Sequence, residues 1–127
     1  MAKADFLKRK AEAFLEDADY DISRGEWFLA AFHLEQTIQL YLKYYLFLKL
    51  GDYPKVHSLE ELLRELEKVY PKDKKKIEKI RKEKASVIGD LDQAYITSRY
   101  LPVEFNKFQV MEMMKFTENF IKFLEKL

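Results

Sequence analysis

Asp92, Tyr95 and Arg99 are spaced i, i+3 and i+7, so on a helix an acid, a phenol and a guanidinium share one face. Asp90 and Tyr100 crowd the same stretch, just ahead of Pro102. An Asp–Arg pair here can simply fix the chain before the proline. A guanidinium beside two tyrosines at a helix end can also grip phosphate bidentately. The chain's two histidines are His33, between Phe32 and Leu34, and His57, directly before Ser58. With no other histidine and no thiolate, they make no zinc site. His57 either packs and hydrogen-bonds the loop that carries it or helps hold an anion at the helix start behind it. Free amides and the helix dipole favour negative charge at such a start.

Two further polar features interrupt apolar sequence. Glu35, Gln36, Gln39 and Lys43 form a strip on an otherwise apolar helix, with Gln39 and Lys43 at i, i+4. Periodicity favours reading it as the solvated face of an amphipathic helix, with Glu35 and Gln39 paired along it. The other reading is a polar row lining a groove between helices. Lys72 to Lys84 contains eight basic and three acidic residues, which reads first as a solvated helix face and second as a footprint for RNA phosphates. It lacks the interleaved aromatic residues that stack on unpaired bases. No Ser–His–Asp order, Gly-rich phosphate loop or carboxylate pair with a shared cleft can be read, so motifs give catalysis no independent support.

The elements that must position these residues are all helical. Gly and Pro number three each, and the long gaps between them carry 3.6-residue periodicity. A first helix is predicted over Lys3 to Ser23, ending at Arg24-Gly25. A second, from Glu26 to about Leu50, is roughly 37 Å long and ends at Gly51 and Pro54. Its C-terminal half is apolar nearly all round, so it is either central in its own domain or buried against a second subunit. Ser58 and Glu61 form a capping box that opens a third helix running to about Tyr70, closed by Pro71. A fourth runs from near Asp73 past Tyr95, with Gly89 as its weak point. The residue before Pro102 is biased away from helix. The last runs from about Asn106 to Lys126. Five helices with short connections predict one all-α domain over residues 1–127, an antiparallel bundle.

The totals narrow the function classes. At 127 residues the chain can bury roughly two-thirds of its unfolded surface in one core. Its 23 Lys and Arg against 22 Asp and Glu argue against a dedicated duplex-DNA binder. The absence of cysteine excludes disulfides, thiolate catalysis and Cys-ligated zinc. The first residues, MAKADFLKRKAEAF, lack the apolar core of a signal peptide, and the polar strip interrupts the longest apolar run. A cytoplasmic protein with no membrane association is expected.

In order along the chain, Trp27, then Ala30-Ala31-Phe32-His33-Leu34-Glu35-Gln36 with Lys43, then His57-Ser58-Leu59 with Leu62-Leu63, then Tyr95 with Arg99-Tyr100 and Pro102, resemble the HEPN family. The resemblance spans about Phe6 to Leu124. It implies a bundle of antiparallel helices that commonly pairs as a homodimer, here through the apolar second helix and the last. It also implies nucleotide or RNA binding, and association with a minimal nucleotidyltransferase in a toxin–antitoxin-like pair. The implied ligand set is Arg99 on phosphate and Tyr95 and Tyr100 near the base, with His57 and Lys43 contributing, and no metal or cofactor. Some members of the family are metal-independent ribonucleases using an Arg, four to six residues, then a His. Arg99 matches that arginine, but Tyr100 to Asn106 contain no histidine and none follows His57. The general acid/base of RNA cleavage is therefore missing from the motif. A binding module is the reading that follows. A divergent ribonuclease recruiting His33 or His57, and a purely structural dimeric domain, are the alternatives.

Overall fold

The computed structural model describes residues 2–97, 100 and 104–127, with side chains from Ala4 onward. Helix α1 spans Ala2–Ser23, α2 Trp27–Leu50, α3 Leu59–Val69, α4 Lys74–Glu83, α5 Ala85–Thr97 and α6 Lys107–Leu124, with a 3-10 turn at Pro71–Asp73. Among the described residues every regular element is helical.

Gly25 and Gly51 stop α1 and α2 with left-handed φ values of 71° and 74°, where a side chain would be strained. Ser58 Oγ accepts from Glu61 N at 3.3 Å, as expected of an N-cap. A complete reciprocal capping box forms at α6. There Asn106 Oδ1 accepts from Gln109 N, and Gln109 Oε1 accepts from Asn106 N.

Helix α2 is the axis of the bundle, packed against α1, α3, α5 and α6. Ala30, Ala31, Leu34, Ile38, Tyr41, Leu42 and Leu46 are all buried within the chain. Of the two explanations for its apolar circumference, the central position is the one observed. Its core-facing apolar residues are covered within the chain, whereas Phe28, Leu48 and Leu50 of the same helix stay exposed.

The predicted fourth helix is two helices. Its break falls at Lys84 (φ −104°, ψ 21°), and the chain remains helical through Gly89. The reason is a change of packing partner. Helix α4 lies against α3, with Ile77 buried and Arg81 Nε donating to Glu67 Oε2 at 2.7 Å. Helix α5 lies against α2 through a different stripe, Ile88, Leu91 and Ala94. One straight rod cannot follow both surfaces, so the bend falls in the polar run between the two stripes. It carries Asp92 and Tyr95 across the start of α3.

Candidate functional site

Glu35, Gln39 and Lys43 stand at i, i+4 and i+8 of α2, one above another along a single ridge. Contrary to the expected solvated face, they are 0%, 6% and 7% exposed. The strip lies inside the bundle because its ridge faces α3, α5 and the loop carrying His57, while the outer face of α2 runs through Phe28, Phe32, Gln36, Leu40, Tyr44 and Leu48. Gln36, beside it, is half-buried.

A buried carboxylate needs donors, and Glu35 has two. Gln36 Nε2 donates to Oε1 at 2.7 Å, and Gln39 Nε2 donates to Oε2 at 2.8 Å. Burial nevertheless dominates and pushes its pKa up to about 7. The two amide bonds and the positive charge of Lys43 oppose that rise, and the negative charge of Asp92 adds to it. With the Gln39 nitrogen committed to Glu35, its oxygen faces outward. It meets His57 Nδ1 at 3.2 Å. An amide oxygen only accepts, so His57 Nδ1 carries a proton and donates, leaving Nε2 as the lone-pair nitrogen of the neutral ring. The His57 ring also packs on Tyr95 of α5, with centroids 5.0 Å apart.

Asp92, one turn before Tyr95, serves the start of α3, while Arg99, its expected partner, lies outside the described residues. Asp92 Oδ1 accepts from Leu59 N at 2.9 Å, at the first turn of α3. Burial pushes the Asp92 pKa up, the amides of Leu59 and Glu60 pull it down, and Glu60 and Glu61 push it up again. Two carboxyl groups with raised pKa values thus flank one polar row that reaches the surface at His57. Perturbed carboxyl groups of this kind occur at functional sites, and a buried polar network also fixes helix register.

Of the residues singled out from sequence, His57, Tyr95 and Lys43 come together here, and Arg99 and Pro102 lie outside the described residues. Tyr100 is 77% exposed. His33 belongs elsewhere: its Nδ1 is 2.6 Å from Oδ2 of the buried Asp21 of α1, and its ring packs beside Phe14. In the basic run, Lys72, Lys74, Lys75, Lys76, Lys79, Lys82 and Lys84 are exposed. Arg81 is instead taken up by Glu67.

The ligand set expected from sequence leaves out Glu35, Gln39 and Asp92. The available signal was a tension: the C-terminal half of the helix, predicted to be apolar nearly all round, leaves little room for a solvated strip that runs into it.

A separate groove of about 410 Å³ opens between α4–α5 and α6. Phe108, Phe116, Phe120, Phe123, Ile80 and Val87 supply its apolar lining, and no member of the polar row contributes to it. Phe108 is 74% exposed at its edge, with Met111 of the same helix exposed as well. Glu83, Asp90 and Glu112, with Lys84 and Lys115, supply the groove's charged lining.

The family model of the HEPN domain matches residues 4–127, nearly the whole chain. The chain belongs to the HEPN family. The crystal structure of TT1696 from Thermus thermophilus is similar to this HEPN domain with a TM-score of 0.78. The match covers 99% of this chain and 98% of that one at 22% identity, which shows a shared fold and nothing further. No curated protein sequence matches the chain. Among the described residues of this HEPN domain, no helix is long and apolar enough to cross a membrane.

Proposed function

We propose that this HEPN domain is a binding module for a nucleotide or RNA, acting with a minimal nucleotidyltransferase in a toxin–antitoxin-like pair. The observation that carries the reading is His57, set in one tautomer by the Gln39–Glu35 relay and laid against Tyr95. A fixed imidazole beside a phenol ring, next to the first turn of α3, offers a stacking surface and directed polar contacts for an anionic ligand. In this reading Arg99 holds phosphate, Tyr95 and Tyr100 pack near the base, and the exposed lysines between Lys72 and Lys84 widen the footprint. Equilibrium binding of AMP and of a short oligoribonucleotide tests it. Arg99→Ala should weaken both by roughly ten-fold or more, and unchanged affinities would remove the assignment.

A second copy of the chain is part of the proposal. The exposed apolar residues that suit pairing are Phe28, Leu48 and Leu50 on α2, and Phe108 and Met111 on α6 beside the groove. Light scattering that reports a monomer at micromolar concentration would remove the dimer.

The alternative reading is metal-independent RNA cleavage, and His57 Nε2 is the observation that favours it. That lone pair is oriented as a general base requires, with its ring held from behind. It would take the proton of a ribose 2′-hydroxyl as the 2′-oxygen bonds to phosphorus. The bond from phosphorus to the 5′-oxygen would break, the leaving oxygen taking a proton from water, while Arg99 offsets the charge on phosphate. An RNA time course in EDTA separates the readings: cutting that His57→Ala abolishes and His33→Ala spares makes this an enzyme, and intact RNA leaves the binding module.

A further inference from the structure

The C-terminal end of the polar row, the least buried of its three positions, is a cation. Lys43 is 7% exposed, and among the described residues no hydrogen bond or ion pair engages its Nζ. Its ammonium lies over the ring of Tyr53, 5.4 Å from the centroid. Lys55 lies over the same ring at 4.1 Å, on the loop that leads to His57 and the first turn of α3.

A lysine stem often lies along apolar surface with its head in water, and that accounts for the buried methylenes. It does not account for a second cation drawn to the same ring. A tyrosine face attracts each ammonium by about 0.5–2 kcal/mol, but two like charges at that range repel. Burial, with that repulsion second, pulls the Lys43 pKa below its usual value against the attraction of Glu35. Among the described residues no fully buried side-chain nitrogen or oxygen lacks a partner, so Nζ must reach an opening. Three unmatched donors at an opening, beside a second cation, make a charge arrangement that an anion would complete.

We propose that Lys43 and Lys55, both drawn to the ring of Tyr53, bind a terminal phosphate monoester, the 5′-phosphate of the nucleotide or RNA ligand. The identity of the rest of that ligand rests on the reading under Proposed function. A monoester fits better than a phosphodiester within a strand for two reasons. It carries a charge of about −1.5 to −2 at neutral pH, which two ammonium groups match. The recessed Lys43 also suits a chain end, because a continuous strand must enter and leave past the atoms that bury the lysine. Arg99 then serves a different phosphate, further along the ligand.

The test compares one short oligoribonucleotide with and without its 5′-phosphate. The wild-type protein should bind the phosphorylated form roughly ten-fold more tightly. Lys43→Met keeps most of the buried stem and removes the charge, and it should erase that preference, the two forms then binding alike. Lys55→Ala, on an exposed side chain, should reduce the preference several-fold and serves if Lys43→Met does not fold. Tyr95→Ala should weaken both forms alike. Equal wild-type affinities, or a preference that survives both lysine variants, would overturn the inference and leave the nucleotide reading standing. If neither RNA binds, inorganic phosphate followed by NMR still decides. Shifts at Lys43, Tyr53 and Lys55 that Lys43→Met removes support the anion site and defeat the nucleotide reading, and their absence defeats both.

Discussion

Gln39 Oε1 lies 3.2 Å from His57 Nδ1 and fixes which nitrogen of the imidazole carries its proton. The amide can do this because its other end is committed to Glu35. A side chain inside the bundle thereby sets the chemistry of a ring at the surface.

Glu35→Gln should reverse that setting. The new amide can still accept from Gln36 through its one oxygen, but its nitrogen then faces the nitrogen of Gln39. Gln39 must turn over, so its nitrogen points at His57 and Nδ1 becomes the acceptor. Nitrogen-15 NMR of the His57 ring should show the proton on Nδ1 in the neutral wild-type ring and on Nε2 in the variant. The same tautomer in both proteins would show that the relay does not control His57.

Stability should fall as pH rises through neutrality. The Glu35 pKa goes from 4.5 in a free side chain to about 7 in the fold. Between those values the folded chain holds a proton that the unfolded chain has lost, so folding is progressively disfavoured as pH rises and levels off above the folded pKa. Across the window the loss is on the order of 3 kcal/mol. Urea unfolding on either side of that window, in mild acid and in mild base, should show it in the wild type. Glu35→Gln should lose most of that slope.

Asp92→Ala should destabilise the start of α3 without touching the core. Removing the carboxylate leaves the amides of Leu59 and Glu60 without that acceptor, a loss of about 1–2 kcal/mol by analogy with helix caps. Hydrogen exchange should quicken first at Leu59 and Glu60. Uniform quickening along all the helices would mean that Asp92 has another structural task.

The two histidines should separate cleanly. Asp21→Ala removes the partner of His33 and should cost about 1–3 kcal/mol by thermal unfolding. It should leave nucleotide affinity within about a factor of two of the wild type. His57→Ala should reduce affinity and change stability little, since the ring is exposed. The opposite pattern would move the site to the α1–α2 face.

The helices were legible because their signals are local: Gly25, Gly51, Ser58 and Asn106 each act within one turn of the chain. The split at Lys84 was not, because it follows from α4 and α5 choosing different neighbours. The site was partly legible. His57, Tyr95 and Lys43 could be picked out by residue type, and the structure brings all three to the polar row. Glu35 and Gln39 read as surface residues because periodicity compares a helix only with itself. What buries them is α3, α5 and the loop from Gly51 to Ser58, and no pattern within α2 reports those neighbours.

The most direct measurement is the affinity of the purified protein for AMP and a short oligoribonucleotide, beside Tyr95→Ala and His57→Ala. Both side chains lie on the proposed contact surface, and neither is fully buried. The account predicts measurable wild-type binding and roughly ten-fold weaker binding in each folded variant. Wild-type protein that binds neither ligand, or variants that bind as tightly as it does, would contradict it.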